Sequence, residues 1–335
     1  MLLFLCAGSI HMTTVKKYLS LIKFSHTIFA MPFALIGFFL AVKSGIISFP
    51  DFFTITSEVT YSTRQWNLNN VIEDQKNIPS FWDENGFWIY KFVLVLICMI
   101  TARSAAMAFN RYLDRKWDAL NPRTAIREIP KGIITPKNAL ILTIVSCLLF
   151  IAATFFINRI CFFLSPVALA VVLGYSYTKR FTPLCHLILG LGLSLAPIGA
   201  YLAVTGRFNW LPILFSFAVI FWVSGFDIIY ALQDEEFDKT NKLYSIPAWL
   251  GKAKALRVSE GLHLLSAASV IAAGKLGGFG PLYWIGVMVF GGMLLYQHSI
   301  VKPNDLRRVN LAFMTANGIA SVVFAVFAIA DLFLR

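Results

Sequence analysis

Apolar residues in this chain run in blocks of about 18–22, the length that a hydrocarbon core about 30 Å thick demands of a spanning helix. The blocks cover 26–47, 88–109, 138–157, 160–177, 184–204, 211–231, 262–280, 282–300 and 311–334. The seventh is the weakest, because Lys275 and a Gly-rich stretch interrupt it. Of the 335 residues 58% are hydrophobic and 14% charged, whereas a soluble domain is roughly a quarter charged. So little charge cannot cover a water-soluble globule. A soluble enzyme, a nucleic-acid binder and a disordered chain are excluded. The sequence predicts an all-α polytopic membrane protein of about nine transmembrane helices, forming a single membrane domain over 1–335. Short connectors at 178–183 and 205–210 make neighbouring spans antiparallel.

The net charge of +12 is explained by topology, since Lys and Arg collect in cytoplasmic loops. With a cytoplasmic N-terminus, Lys16, Lys17 and Lys23 lie inside, as does the run Arg111, Arg115, Lys116, Arg123, Arg127, Lys131 and Lys137. Lys179 and Arg180 join them, with Lys239, Lys242, Lys252, Lys254, Arg257, Lys302, Arg307 and Arg308. These are 20 of the 29 basic residues; eight fall outside and Arg103 lies within a span. Nine spans then put the C-terminus outside. Segments 111–137 and 232–261 become cytoplasmic loops. Segment 48–87 becomes a long outer loop with Trp66, Trp82 and Trp88 as interfacial anchors. Residues 1–15 form an N-terminal extension, and Met12 offers an alternative start. The five cysteines (Cys6, Cys98, Cys147, Cys161, Cys185) show no CxxC or metal spacing and read as small core residues.

Outside the long outer segment the acids concentrate in two places, both cytoplasmic. Asn110, Asp114 and Asp118 end the second span at i, i+4, i+8 spacing, so a helix stacks them on one face. Asp227, Tyr230, Asp234 and Asp238 do the same at the end of the sixth. Stacked carboxylates repel, and the macrodipole disfavours negative charge at a helix C-terminus. A cation must offset that cost. One candidate is magnesium, which takes one or two carboxylates plus phosphate oxygens. The other is a set of salt bridges with Arg111, Arg115, Lys116 and Lys239. Two clusters on one side, each closing a span that runs inward, favour a magnesium–diphosphate site. Their parallel sense also suggests an internal duplication.

Asn110-x3-Asp114-x3-Asp118 resembles the NxxxDxxxD motif of the UbiA superfamily of intramembrane aromatic prenyltransferases. Asp227-x2-Tyr230-Ala231-x2-Asp234-x3-Asp238 resembles its second motif, and the likeness covers residues 15–335. The contexts Phe109–Asp114, Asn121-Pro122-Arg123-Thr124, Asp234–Asp238 and Ser245-Ile246-Pro247 look most like the 4-hydroxybenzoate polyprenyltransferase branch. The resemblance implies nine helices ringing a cavity that opens laterally to lipid, with the two motifs facing each other beneath a cytoplasmic cap. It further implies an enzyme of quinone biosynthesis in a bacterial inner membrane, with its active site facing the cytoplasm. The long 48–87 segment, His26 and Glu128 depart from the branch's usual pattern.

On that resemblance Asp114, Asp118, Asp234 and Asp238 are catalytic. With Asn110 and Asp227 they would hold two Mg2+ ions bridging to a polyprenyl diphosphate, making the diphosphate a better leaving group. Arg123, Arg127 and Lys179 could bind the remaining phosphate charge. Tyr230 would either face the allylic cation or order Asp227 or a phosphate oxygen. Arg103, deep in a span, lies two turns before Asn110; a buried guanidinium there is expensive and functional by default. It would read the carboxylate of an aromatic acid or hydroxynaphthoate acceptor, or pair with Asp227. His186, His263 and His298, each isolated, read as hydrogen-bonded packing residues. The same chemistry on a 1,4-dihydroxy-naphthoate acceptor, for menaquinone, is the main alternative, with haem- or porphyrin-type acceptors behind it. A secondary transporter is a distant one, since transporters place acids near the midplane on broken helices. The sequence sets no oligomeric state.

Overall fold

The structure is a computed structural model and describes residues 17–22, 29–46 and 84–334. Residues 1–15, His26 and nearly all of the 48–87 segment lie outside these. Among the described residues each of the nine apolar blocks falls on a helix. These are α1 (Met31–Ser44), α2 (Glu84–Leu120), α3 (Pro136–Ile157), α4 (Arg159–Thr178), α5 (Cys185–Thr205), α6 (Trp210–Ala231), and, beyond two short helices α7 (Glu235–Thr240) and α8 (Ile246–Leu250), α9 (Lys252–Leu276), α10 (Pro281–Ile300) and α11 (Val309–Leu334). Six of them, α2 to α6 and α11, are long and apolar enough to cross a membrane. Large apolar side chains such as Leu148, Phe163, Leu264, Met288 and Leu295 face outward, as they must in lipid.

Local signals set the helix ends. Thr135 accepts from the Asn138 N–H and Pro136 opens α3. Asn158 caps α4 through the Cys161 N–H at 2.9 Å while its amide donates to the Leu202 carbonyl of α5 at 2.8 Å. Lys91, fully buried, donates to the Ile157 carbonyl at 2.6 Å and so closes the C-terminus of α3.

Two boundaries differ from the sequence reading. Helix α2 runs on to Leu120, so the first ten residues of the 111–137 segment are helical. Helix α9 begins at Lys252 rather than 262, its first turns being polar, and together with α7 and α8 it makes most of the 232–261 segment helical.

Helices α1, α5, α6, α9, α10 and α11 pack in a closed circuit, and α2, α3 and α4 join it through α5. A Cβ on Gly37 would lie 2.0 Å from the Pro197 carbonyl oxygen, so α1 and α5 meet backbone to backbone. The core is aromatic: Trp222, Phe33, Phe215, Phe290, Phe324 and Tyr283 are fully buried. Trp222 and Gln297 both donate to the Asn317 side-chain oxygen, at 2.9 and 2.8 Å. The Asn317 amide donates to the Ala312 and Phe313 carbonyls beside a π-helical turn, Ala312–Ala316. That turn aims Phe313 at the site.

Candidate active site

The first motif rides the last turns of α2 and the second the junction of α6 with α7. Between them lies a polar cavity of about 290 Å3 lined by Asn110, Asp114, Asp118, Asp227, Tyr230 and Asp234. Arg103, Arg123, Arg127 and Lys179 also line it. An apolar cavity of about 450 Å3 adjoins it among α2, α3, α4 and α5. Arg103, Met107, Tyr175, Leu189 and Leu193 belong to both walls. A charged chamber thus opens into a greasy one, and Arg103 stands at the join.

The acids are offset by cations, though not those the sequence suggested. Arg123 pairs with Asp234 through both its Nε (2.9 Å) and Nη2, and Asn121 adds a 3.0 Å hydrogen bond to the same carboxylate. Arg127 meets Asp118 at 2.6 Å, Lys179 meets Asp238 at 2.8 Å and Arg180 meets Asp114 at 3.5 Å. Burial alone would lower the Arg123 guanidinium, but Asp234 more than offsets it and holds the group above its ordinary value. Asp238 does the same for the Lys179 ammonium. Arg115 instead lies over the Tyr112 ring, and Lys239 pairs with Glu235. Glu128 turns away and accepts from Ser20.

Three expectations change in detail. Asp238 is fully buried and off the cavity wall, gripped by Lys179 and by the Ser245 hydroxyl at 2.9 Å. Tyr230 makes no hydrogen bond to Asp227 among the described residues. Its hydroxyl accepts from Arg123 at 2.8 Å, and its ring lies 4.3 Å from that of Phe313. Asp227 pairs with His186 at 2.6 Å, which leaves Arg103 outside every ion pair among the described residues. The Ile246 N–H donates to the other His186 nitrogen, Nε2, so Nδ1 carries the proton toward Asp227. His186 is buried and hydrogen-bonded, as the sequence suggested, but a lone histidine in an apolar block carries no signal of which partner it meets. Arg180 and Tyr175 were missed because neither belongs to a spaced motif.

Among the described residues no three carboxylate, imidazole or thiol groups converge on one point. Magnesium needs only one or two carboxylates when phosphate oxygens complete its shell. Asp118 Oδ2 is buried without a hydrogen-bond partner, an acceptor whose natural complement is a cation. The residues fit a magnesium–diphosphate head.

Fold and cavities define a class: an integral membrane protein holding a charged site beside an apolar chamber. The sequence matches the UbiA prenyltransferase family over residues 80–319. The chain belongs to that family and is an aromatic prenyltransferase. It is 27% identical over 255 residues to the 4-hydroxybenzoate octaprenyltransferase of Nitrosospira multiformis, covering 74% of this chain and 87% of that one. The structure of a UbiA homologue from Aeropyrum pernix K1 matches with a TM-score of 0.69 at 26% identity, over 92% of this chain and 97% of that one. A UbiA homologue from Archaeoglobus fulgidus, bound to DMAPP and Mg2+, shares the fold with a TM-score of 0.63 at 20% identity, over 95% and 100% of the two chains.

Proposed function

We propose that the protein transfers a polyprenyl group from polyprenyl diphosphate to a ring carbon of 4-hydroxybenzoate, in a magnesium-dependent step of ubiquinone-type quinone synthesis. The observation that carries this reading is the acid-lined chamber opening into an apolar one at Arg103. The octaprenyltransferase relative names the acceptor, and the Archaeoglobus homologue binds a prenyl diphosphate with Mg2+ on the same fold. We read the enzyme as nine spans with a cytoplasmic N-terminus and a cytoplasm-facing site in a bacterial inner membrane.

Asn110, Asp114, Asp118, Asp227 and Asp234 would hold the metal, with Asp238 beneath Lys179. When bound with the donor, magnesium neutralises the diphosphate and eases its departure. Arg123, Arg127 and Lys179 bind phosphoryl oxygens, and Tyr230 keeps Arg123 in place. The apolar chamber takes the chain and excludes water from the allylic cation that forms when the carbon–oxygen bond to diphosphate breaks. The acceptor's ring carbon attacks that cation and then loses its proton, restoring aromaticity. Arg103 orients the acceptor by its carboxylate.

Membranes given geranyl diphosphate and magnesium, with 4-hydroxybenzoate and 1,4-dihydroxy-6-naphthoate offered in parallel, test the reading. Prenylated hydroxybenzoate alone is expected; prenylated naphthoate alone would move the enzyme to menaquinone synthesis, and neither product would overturn the transferase. Arg103→Ala should raise the acceptor's KM by about 10- to 100-fold, the worth of a hydrogen-bonded charge pair, with the donor's KM unchanged. An unchanged acceptor KM would return Arg103 to a packing role.

A further inference from the structure

Arg111 follows Asn110 in the first motif and looks in sequence like one more surface counter-ion. The structure buries it. It is 2% exposed, it lines the polar cavity, and its Nε has no hydrogen-bond partner. None of the ion pairs among the described residues includes it, whereas Arg123, Arg127, Lys179 and Arg180 on the same cavity each meet a carboxylate. A buried guanidinium outside any ion pair is costly, so its retention points to a ligand.

A second unsatisfied atom lies on the same helix. Asp118 stands seven residues on, hence on the same face and about 10 Å farther along the axis. Arg127 holds its Oδ1 at 2.6 Å, and its Oδ2 is buried without a partner. A donor without an acceptor and an acceptor without a donor thus flank one stretch of wall, and no ion pair or hydrogen bond joins them. One ligand serves both: an anionic group for Arg111 that carries its own divalent cation to Asp118. That is the chemistry of a metal-bound diphosphate. An acceptor carboxylate fits less well, because it brings no cation and Arg103 already waits for it where the two chambers join.

We propose that Arg111 is a binding residue for the diphosphate end of the prenyl donor, beyond the set Arg123, Arg127 and Lys179. This rests on the function proposed above. Its fork of donors can grip two phosphoryl oxygens at once, so it also fixes which way the leaving group faces.

The test is a thermal-unfolding titration of the full chain in detergent, with Mg2+ present and inorganic pyrophosphate as the probe. Arg111→Met should melt close to the wild type without ligand, since the methionine keeps most of the buried volume and no ion pair is lost. Its apparent pyrophosphate affinity should fall about 10- to 100-fold. The KM for geranyl diphosphate should rise in step and that for 4-hydroxybenzoate should stay. Arg111→Lys should recover part of the affinity. If Arg111→Met does not fold, Arg111→Gln serves in the same titration. Wild-type pyrophosphate affinity in the folded variant would overturn the inference and leave the transferase reading standing. So would a rise confined to the acceptor's KM. No pyrophosphate response from the wild-type protein itself would overturn the transferase reading, and this inference with it.

Discussion

Asp234→Asn and Asp114→Ala are each expected to cut prenyl transfer at least about 1000-fold, a loss of about 4 kcal/mol of transition-state stabilisation, in protein that still folds. The choice of replacement follows from the pairs. Asp234 is largely buried against Arg123 and Asn121, and alanine would strand a half-buried guanidinium, which costs about 3–5 kcal/mol. Asparagine keeps a hydrogen-bonding oxygen there but removes the charge a metal needs. Asp114 is more exposed and its contact with Arg180 is longer, at 3.5 Å, so alanine is tolerated. Steady-state rates with saturating donor and acceptor, read beside detergent melting temperatures, settle the matter. Turnover retained by both variants would remove the two motifs from the metal site.

Chelation should have the second large effect. Exhaustive treatment with EDTA is expected to drop turnover at least about 1000-fold, and added Mg2+ to restore it. The melting temperature should hardly move. Protein cations already offset the acids: Arg127 at 2.6 Å from Asp118, Lys179 at 2.8 Å from Asp238, Arg123 on Asp234. A site balanced this way does not need metal to fold, unlike small domains whose folding free energy is metal binding. Activity that survives chelation would mean that the arginines and Lys179 alone manage the leaving group. Unfolding on chelation would make the ion a structural one.

How much of this was legible follows from the range over which each signal acts. The apolar blocks became helices because a spanning helix satisfies its backbone internally, whatever its neighbours do. The caps at Thr135 and Asn158 are equally local, each accepting from an N–H within the next turn. The weak seventh block was misplaced because the first turns of α9 carry Lys252, Lys254 and Arg257, whose polarity hides a helix from a hydropathy reading.

The first motif's face was legible for the same local reason, since residues at i and i+4 stack in any helix; the second is broken by a 3-10 turn over Leu232–Asp234, and Asp238 leaves the shared face. The partners of the motif acids were not legible. Arg123 reaches Asp234 across 111 residues of chain and His186 reaches Asp227 across 41. Nothing in the spacing of either stretch encodes those meetings.

By itself, then, the sequence determined the helices, the first acid-bearing face and the family, since all three are written in spacings along one helix or one short loop. Only the tertiary structure decided that Asp238 retreats behind Lys179, that His186 holds Asp227, that Arg103 stands between two chambers and that Arg111 is buried outside the ion pairs among the described residues. Those outcomes depend on how closely helices approach, as where Gly37 lets α1 touch the α5 backbone. Burial and pairing are properties of the space between elements, and a spacing along one element does not contain them.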